Sequence, residues 1–363
     1  YADEFAKKEA QELAKAAGYS VQAVIGLKQI VRSEFGVGAG KAEELAETVS
    51  ENGSKLLIID ESLTSAQANN LAKTTRVEVI DRERLILNIF ALRAATTQAK
   101  LQVQLAELRY ELPRTKDSVR NSIAGERAGF MGIGELAIDV KFKALRRRMV
   151  TVKEKLARAE MSRSLQRKER MKLGEPLVSL AGYTSGGKTT LFNRLASESK
   201  EESPNLFTTL STTTRAISLP GSARRVILSD TVGFTSRLPA YLVESFRSTL
   251  DELTYADLIL LVVDASEGPE SIRVKLGSCA EILQQLAVDP KKILLVLNKV
   301  DLLPPGAWSD SDKSLSEGYD SVRVSATRGD GLKRLRNQIL ERTREAHLRM
   351  TDGRRRQQYG TLS

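Results

Sequence analysis

Cysteine is almost absent from this chain of 363 residues. Its single cysteine, Cys279, excludes an internal disulfide bond and fits a reducing compartment, so we expect a cytoplasmic protein. The only histidine, His347, lies near the end of the last helical pattern, and we assign it no functional role.

Long hydrophobic runs are also lacking. The longest, Leu258 to Val263, has the length of a β-strand, whereas a membrane-spanning helix needs about 20 apolar residues, so no membrane span is predicted. A hydrophobic content of 41% and a charged content of 28% are typical of globular proteins, and the length allows two or three domains. Because the chain starts at Tyr1 rather than Met, we expect the natural N-terminus, with any targeting segment, to lie upstream.

The net charge of +10 is concentrated in one quarter of the chain. Residues 82–175 hold 22 Lys and Arg residues against 11 Asp and Glu residues, a local charge of +11, which leaves about −1 for the remainder. A basic excess confined to one segment indicates a polyanionic partner for that segment. Within it, Arg146, Arg147 and Arg148 are candidate contacts, and the alternative for this cluster is a solvated helix face.

The segments on either side of the basic one show alternating strand and helix patterns. Residues 1–81 predict a small α/β domain, with strands near 21–25, 55–60 and 76–80. Residues 176–350 predict an α/β domain whose mostly parallel sheet is covered by helices on both faces. Residues 351–363 read as a polar tail.

The basic segment itself carries two helical patterns. Apolar residues spaced alternately by four and three predict one helix over 82–112, ended by Pro113, and a second helix from about 138 to 172. A loop with four glycines joins them, which favours a long antiparallel hairpin within a monomer. The alternative is that the same seam pairs with a second copy of the chain.

A glycine-rich sequence after the first strand of the 176–350 domain fits the pattern G-x-x-x-x-G-K-[ST], which cradles phosphates with backbone N–H groups at a helix N-terminus. Lys188 is expected to reach the β- and γ-phosphates, and the Thr189 hydroxyl to bind Mg²⁺. The predicted phosphate-loop residues are Gly182, Tyr183, Thr184, Ser185, Gly186, Gly187, Lys188, Thr189 and Thr190.

Two further motifs follow in the order that GTP-binding domains require. Asp230 ends a strand and is expected to hold Mg²⁺, while the Gly233 N–H is placed to sense the γ-phosphate. In Asn298-Lys299-Val300-Asp301, the carboxylate suits the N1–H and N2–H₂ groups of guanine, which adenine does not offer, and Asn298 suits its O6 and N7. Ser325 and Ala326 fit the loop that backs the base. These motifs together predict a chain that binds and hydrolyses GTP.

The residue after Gly233 is Phe234. Many small GTPases place glutamine there to orient the attacking water, which phenylalanine is unable to do. The sequence therefore predicts slow intrinsic hydrolysis and a partner that completes the site.

With these residues placed, nearly the whole chain resembles the HflX family of GTPases. The segment from Gly182 to Asn193 is similar to the family's GYTNAGKSTLFN, and Asp230 to Phe234 matches DTVGF. The segments 206–210 and 213–215 resemble the family's LFATLDPTTR, and Lys100 to Pro113 resembles KLQVELAxLxYxLPR. The resemblance implies a P-loop GTPase domain preceded by a small α/β domain and a long helical hairpin. It also implies that Phe207, Thr208 and Thr209 belong to the switch segment, with Thr209 joining Thr189 on Mg²⁺; Lys188, Thr209 and Gly233 would form the catalytic set.

The resemblance implies a partner as well. Members of this family bind ribosomes, mainly the large subunit and its rRNA, and some dissociate stalled ribosomes. The alternatives are a module that docks on the large subunit for assembly or dormancy without splitting it, and an adaptor that recruits proteins through the hairpin. The chain departs from the family at Ser185, where related GTPases place an asparagine that helps to hold potassium. The sequence ends soon after the GTPase domain, which resembles an archaeal form without the bacterial C-terminal domain.

Overall fold

The computed structural model describes residues 4–27, 33–125, 131–197, 207, 210, 212–219, 221, 225–304 and 318–344. The chain divides into two compact units, Tyr1–Ala159 and Glu160–Ser363. In the part of the chain that the structure describes, none of the helices combines the length and hydrophobicity that crossing a lipid bilayer requires.

The first unit begins with a small α/β arrangement. Its elements are α1 (Glu4–Ala16), α2 (Ala39–Glu51), β1 (Leu56–Ile59), α3 (Ser65–Thr75) and β2 (Glu78–Asp81). The two strands pair in parallel, with Leu56 opposite Glu78, which confirms two of the three predicted strands. The third prediction is wrong, since residues 21–25 form no strand. Val24 is 43% exposed, whereas Ile25 is partly buried against the core of this α/β arrangement. The run therefore packs on the core without pairing with β1 or β2.

The long helix predicted over 82–112 is two helices, α4 (Arg82–Arg93) and α5 (Thr97–Gly125). The break falls at the polar residue of the apolar seam: the Thr96 hydroxyl accepts a hydrogen bond from the Ala99 N–H at 3.1 Å and so caps α5. Pro113 lies inside α5 and does not end it, contrary to the prediction. Contacts on both sides of the proline hold this turn, because the Tyr110 hydroxyl donates to Asp81 Oδ1 at 3.0 Å and Arg114 Nη2 donates to the Leu63 carbonyl at 2.6 Å.

The hairpin partner of α5 is α6 (Met131–Leu173). The two helices meet through apolar side chains that on α6 belong to the predicted seam and on α5 are leucines beside it. They are Leu101, Leu105, Leu108, Leu145, Met149, Val152 and Leu156. The seam is therefore used within one chain, as predicted. Arg146, Arg147 and Arg148 of α6 are all exposed.

The second unit is built on a six-stranded sheet in the order β4-β5-β3-β6-β7-β8. The strands are β3 (Leu177–Ala181), β4 (Thr213–Ser218), β5 (Arg225–Asp230), β6 (Leu258–Asp264), β7 (Ile293–Asn298) and β8 (Ser321–Arg323). Only β4 pairs in antiparallel fashion, with β5, and the other pairs are parallel. The carboxyl ends of the five parallel strands consequently lie at one edge of the sheet, where α/β proteins place their ligands.

Helices cover both faces of this sheet, which confirms the predicted fold class. They are α7 (Lys188–Ala196), α8 (Ala240–Ser245), α9 (Arg247–Thr254), α10 (Pro269–Gln285) and residues 332–344. On β3, Val178 and Leu180 belong to the core shared with α7 and residues 332–344. Because side chains alternate along a strand, Ser179 faces the other side, where its hydroxyl donates to the Glu252 carbonyl of α9 at 3.1 Å.

Candidate functional site

The turn between β3 and α7 contains the predicted phosphate loop. Gly182 has φ +139°, and a Cβ placed there would lie 2.1 Å from the Val262 carbonyl oxygen. Gly187 has φ +86°, and its Cβ would lie 2.3 Å from Asn298 Nδ2. Neither position accepts a side chain, so glycine is required at both. The loop leads directly into the N-terminus of α7, whose first N–H groups and positive dipole end could hold phosphate.

Lys188 is the first residue of α7 and is 8% exposed. Its Nζ donates to the carbonyl oxygens of Gly182 at 3.0 Å and Tyr183 at 2.7 Å, so the ammonium group lies within the loop. Burial lowers the pKa of Lys188 to about 8, while the nearby Asp230 carboxylate opposes that shift. Phosphate oxygens would favour the charged form further, so this side chain could neutralise a bound polyphosphate.

Thr189 and Asp230 lie together beside the loop. The Thr189 hydroxyl donates to Asp230 Oδ2 at 3.2 Å, and Asp230 ends β5 with no exposed surface. Hydroxyl and carboxylate oxygens are ligands that Mg²⁺ prefers. Across the described ranges, no group of three or more His, Cys, Asp or Glu side chains could hold a metal by itself. This donor set fits Mg²⁺, which usually takes only one or two protein ligands and the rest from phosphate and water.

The predicted switch segment is only partly described. Phe207 is 2% exposed and has φ +56°, whereas Thr208 and Thr209 lie outside the described residues. The role of Thr209 on Mg²⁺ therefore stays a prediction. Thr190 lies in the first turn of α7, next to Thr189.

Gly233 lies against the phosphate loop. A Cβ at this position would be 2.9 Å from Lys188 Nζ and 3.0 Å from Thr184 Cγ2. The next residue, Phe234, is 2% exposed and bonds to the loop through its backbone, which donates to the Gly182 carbonyl at 3.0 Å and accepts from the Thr184 N–H at 2.8 Å. Phe234 thus offers no polar side-chain group to an attacking water.

The Asn298 side chain joins two loops of the site. Its Nδ2 donates to the Gly186 carbonyl at 3.0 Å, and its Oδ1 accepts from the Ala326 N–H at 3.0 Å. Both ends of this buried amide therefore fix the phosphate loop to the loop after β8. The geometry gives Asn298 a positioning role, and its direct contact with guanine stays a prediction.

Asp301 follows β7 and lies beside the loop after β8. Its Oδ2 accepts from the Thr327 hydroxyl at 3.5 Å, and the pKa of Asp301 is lowered, chiefly by a hydrogen bond from Ser325. Its Oδ1 is buried and, among the described residues, has no hydrogen-bond partner. A buried acceptor without a donor is costly, so this atom fits a ligand that brings an N–H group, as guanine does. Ser325 and Ala326 are both buried, and their place behind the base stays a prediction.

Asp264 is a residue of the site that the sequence analysis missed. It ends β6 and accepts a hydrogen bond from Lys299 Nζ at 2.6 Å, which fixes the Lys299 side chain next to the end of β6. Lys299 has φ +64°, a left-handed conformation that is unusual for a residue other than glycine. Its place at a strand end could have identified Asp264 from the sequence, since it ends β6, the strand between the two motif-bearing strands β3 and β7.

Comparison with protein families agrees with this geometry. Three family models match the chain: "GTP-binding GTPase N-terminal" over residues 5–91, "GTP-binding GTPase Middle Region" over residues 93–170, and "50S ribosome-binding GTPase" over residues 177–299. Together they follow the chain from the first helix into the phosphate-binding unit.

Individual relatives cover most of the chain. The GTPase HflX of Thermococcus kodakarensis is 42% identical over 335 residues, which are 90% of this chain and 75% of that protein. The GTPase HflX of Methanocaldococcus jannaschii is 38% identical, with 96% and 85% covered, and that of Escherichia coli is 36% identical, with 92% and 78% covered.

A solved structure has the same overall fold. The GTP-binding protein from Sulfolobus solfataricus in complex with GDP is 28% identical, covers 94% of this chain and 96% of its own, and has a TM-score of 0.50. The glycine loop, the Mg²⁺-compatible pair and the acceptor at Asp301 give this similarity a chemical basis. The chain belongs to the HflX family of GTPases, enzymes that hydrolyse GTP to GDP and phosphate with Mg²⁺.

Proposed function

We propose that this enzyme docks on the large ribosomal subunit through its N-terminal part and its hairpin, residues 82–175, and that docking stimulates GTP hydrolysis. The observation that carries the proposal is the charge of +11 in that hairpin, in a chain whose remainder is close to neutral. The family description "50S ribosome-binding GTPase" names the ribosome as a partner, and rRNA is a polyanion of the ribosome. We place the enzyme in the cytoplasm, as a monomer.

The hairpin has the features of an RNA-binding surface. Its seven apolar contact residues face inward between α5 and α6, and the basic side chains of α6 between 141 and 158 are left exposed. Arg82, by contrast, is buried in ion pairs with Glu9 and Asp60. Arg146 lies 5.6 Å from the ring centroid of Phe142, a cation–π distance that orients its guanidinium group. Arginine is well suited to phosphate, because its planar fork donates two parallel hydrogen bonds.

In the nucleotide site we propose that residues 182–190 bind the phosphates, that Thr189, Asp230 and Thr209 hold Mg²⁺, and that Asp301 reads guanine. Lys188, Thr209 and the Gly233 N–H would stabilise the transferring phosphoryl group. Mg²⁺, when bound, neutralises charge that develops on the phosphate oxygens. With Phe234 in place of a water-orienting side chain, the bound ribosome supplies the missing group or geometry.

Replacing Arg146, Arg147 and Arg148 together with alanine is expected to weaken binding to isolated large subunits by about tenfold or more, because each lost phosphate contact also loses its counterion release. The measurement is co-pelleting over a range of salt concentrations. The negative slope of log affinity against log salt concentration should become shallower by about two when three contacts are lost. GTP affinity should stay within twofold, since the site lies in the other unit.

The matched control removes the same charge elsewhere: Lys291, Lys333 and Arg334, all exposed, are replaced by alanine. This variant should pellet like the wild-type protein. If binding by the wild-type protein does not change with salt, an rRNA contact is ruled out. Loss of GTP affinity in the hairpin variant would contradict the assignment of ribosome binding and nucleotide binding to different parts of the chain. Light scattering of intact ribosomes then distinguishes docking from subunit dissociation, because only dissociation lowers the scattering signal when GTP is added.

A further inference from the structure

The phosphate loop is held at two places by side chains from other parts of its unit. Near its end, Asn298 donates to the Gly186 carbonyl. Near its start, the Tyr183 side chain is 3% exposed, and Lys275 Nζ of α10 lies 5.0 Å from the centroid of its ring. The Tyr183 hydroxyl accepts a hydrogen bond from the Ser236 N–H at 2.7 Å, so both the ring and the hydroxyl of this side chain are in contact.

Lys275 is fixed in turn by an ion pair. Its side chain is only 10% exposed, and its Nζ lies 2.5 Å from Glu267 Oε1. The other oxygen of that carboxylate, Oε2, accepts a hydrogen bond from the Ser271 hydroxyl at 3.0 Å. A lysine held at its charged end has already lost its rotamer freedom, so it keeps its ammonium group over the Tyr183 ring without a further entropic cost.

The loop needs such contacts because of its backbone conformation. Ser185 has φ +62°, a left-handed conformation that a residue with a side chain keeps only where its surroundings enforce it. The Tyr183 carbonyl also accepts from Lys188 Nζ at 2.7 Å, so a shift of Tyr183 would displace an atom that holds Lys188. A loop that already has its binding shape loses less freedom when a ligand arrives, and it therefore binds that ligand more tightly.

We propose that Lys275 is a positioning residue for the phosphate loop, which it keeps in its binding shape by holding the Tyr183 ring. The inference rests on the proposed binding of phosphates by residues 182–190. GDP and GTP share their first two phosphates, so the loss of Lys275 should weaken the binding of both to the same extent. The hydrolysis of bound GTP should not change, because Lys275 acts on the loop and not on the reacting atoms.

The test is Lys275→Met, which keeps most of the length of the side chain and removes its charge. We expect GDP and a non-hydrolysable GTP analogue each to bind about fivefold more weakly, within the range of a desolvated cation–π contact. Single-turnover hydrolysis at saturating GTP should stay within about twofold of the wild-type rate. Lys275→Arg, which retains a cation, should keep both affinities. Unchanged affinities in Lys275→Met, or a loss confined to one nucleotide, would overturn the proposal.

Two further variants separate the Tyr183 contact from general damage to the helix. Arg273→Met is the matched control, since it removes an exposed ion pair with Glu270 from the same helix and should change neither affinity. Lys275→Met also leaves the Glu267 carboxylate without its cation, which weakens the fold by itself. The double variant Glu267→Gln, Lys275→Met removes both charges, and a thermal melt verifies its folding. It should bind both nucleotides as weakly as Lys275→Met, and recovery of wild-type affinity would overturn the proposal.

A double-mutant cycle with Tyr183 isolates the contact. In a Tyr183→Leu background, Lys275→Met should change the affinities by less than about twofold, because the ring that Lys275 holds is gone; a full fivefold loss there would contradict the proposal. Lys188→Ala then tests the phosphate loop separately. Normal hydrolysis by that variant would overturn the assignment of residues 182–190, whereas slow hydrolysis by it, together with wild-type affinities in Lys275→Met, would overturn only the role of Lys275.

Discussion

Replacing Asp301 with asparagine is expected to weaken GTP binding by about 10⁴-fold and to create binding of xanthosine triphosphate. A site built around hydrogen bonds to one base discriminates to that extent, because the wrong partner leaves buried polar groups unpaired. This is the largest effect that we predict for a single substitution.

The reason lies in the donors and acceptors that meet at Asp301. In the proposed site the carboxylate would accept from both N1–H and N2–H₂ of guanine, and its buried Oδ1 has no donor among the described residues. Asparagine presents one acceptor and one donor. The N2–H₂ donor of guanine would then meet the N–H donor of the asparagine amide, which leaves both unpaired. Xanthine offers N1–H and an oxygen, which match the oxygen and the N–H of that amide.

Direct binding of labelled GTP and of labelled xanthosine triphosphate to each variant measures this exchange of specificity. The control is Asp330→Asn, an exposed carboxylate in the loop after β8, which should keep the wild-type preference. If Asp301→Asn bound GTP as tightly as the wild-type protein, Asp301 would not be the guanine-reading residue. A thermal melt of both variants separates loss of binding from loss of folding.

Replacing Lys188 with alanine is expected to lower the rate of GTP hydrolysis by about 10²–10³-fold, the usual cost of removing one preorganised charge from a transition state. The ammonium group already lies within the phosphate loop, 3.0 Å from the Gly182 carbonyl oxygen and 2.7 Å from that of Tyr183. Its loss leaves Mg²⁺ alone to neutralise the charge that develops on the phosphates.

Single-turnover hydrolysis at saturating GTP measures this loss separately from binding. Lys333→Ala is the control, because Lys333 is exposed on the helix of residues 332–344 and should leave the rate unchanged. A Lys188→Ala rate within threefold of the wild-type rate would remove Lys188 from the catalytic set.

The sequence predicted the site well where function is tied to strand ends. The loop after β3, Asp230 at the end of β5 and Asn298 at the end of β7 meet at one edge because parallel strands align their carboxyl ends. The order of the motifs was therefore enough to place these residues together. The same logic, applied to β6, would have found Asp264.

Features that depend on distant contacts were not predictable. Pro113 continues a helix because Tyr110 is anchored to β2 and Arg114 to the segment before α3. No local sequence pattern predicts those contacts. The Tyr183–Ser236 hydrogen bond joins residues 53 positions apart. The apolar run at 21–25 reads as a strand but contributes no strand to the β1–β2 sheet, because propensity alone does not supply a pairing edge.

Stimulation of GTP hydrolysis through the hairpin is tested most directly by the rate of GTP hydrolysis with and without saturating large ribosomal subunits. The rate is measured for the wild-type protein and for the variant that lacks Arg146, Arg147 and Arg148. We predict slow turnover of the isolated enzyme, at least tenfold stimulation of the wild-type protein, and little stimulation of the variant at the same subunit concentration. Turnover of several per second by the isolated enzyme, or a wild-type rate that large subunits leave unchanged, would contradict it.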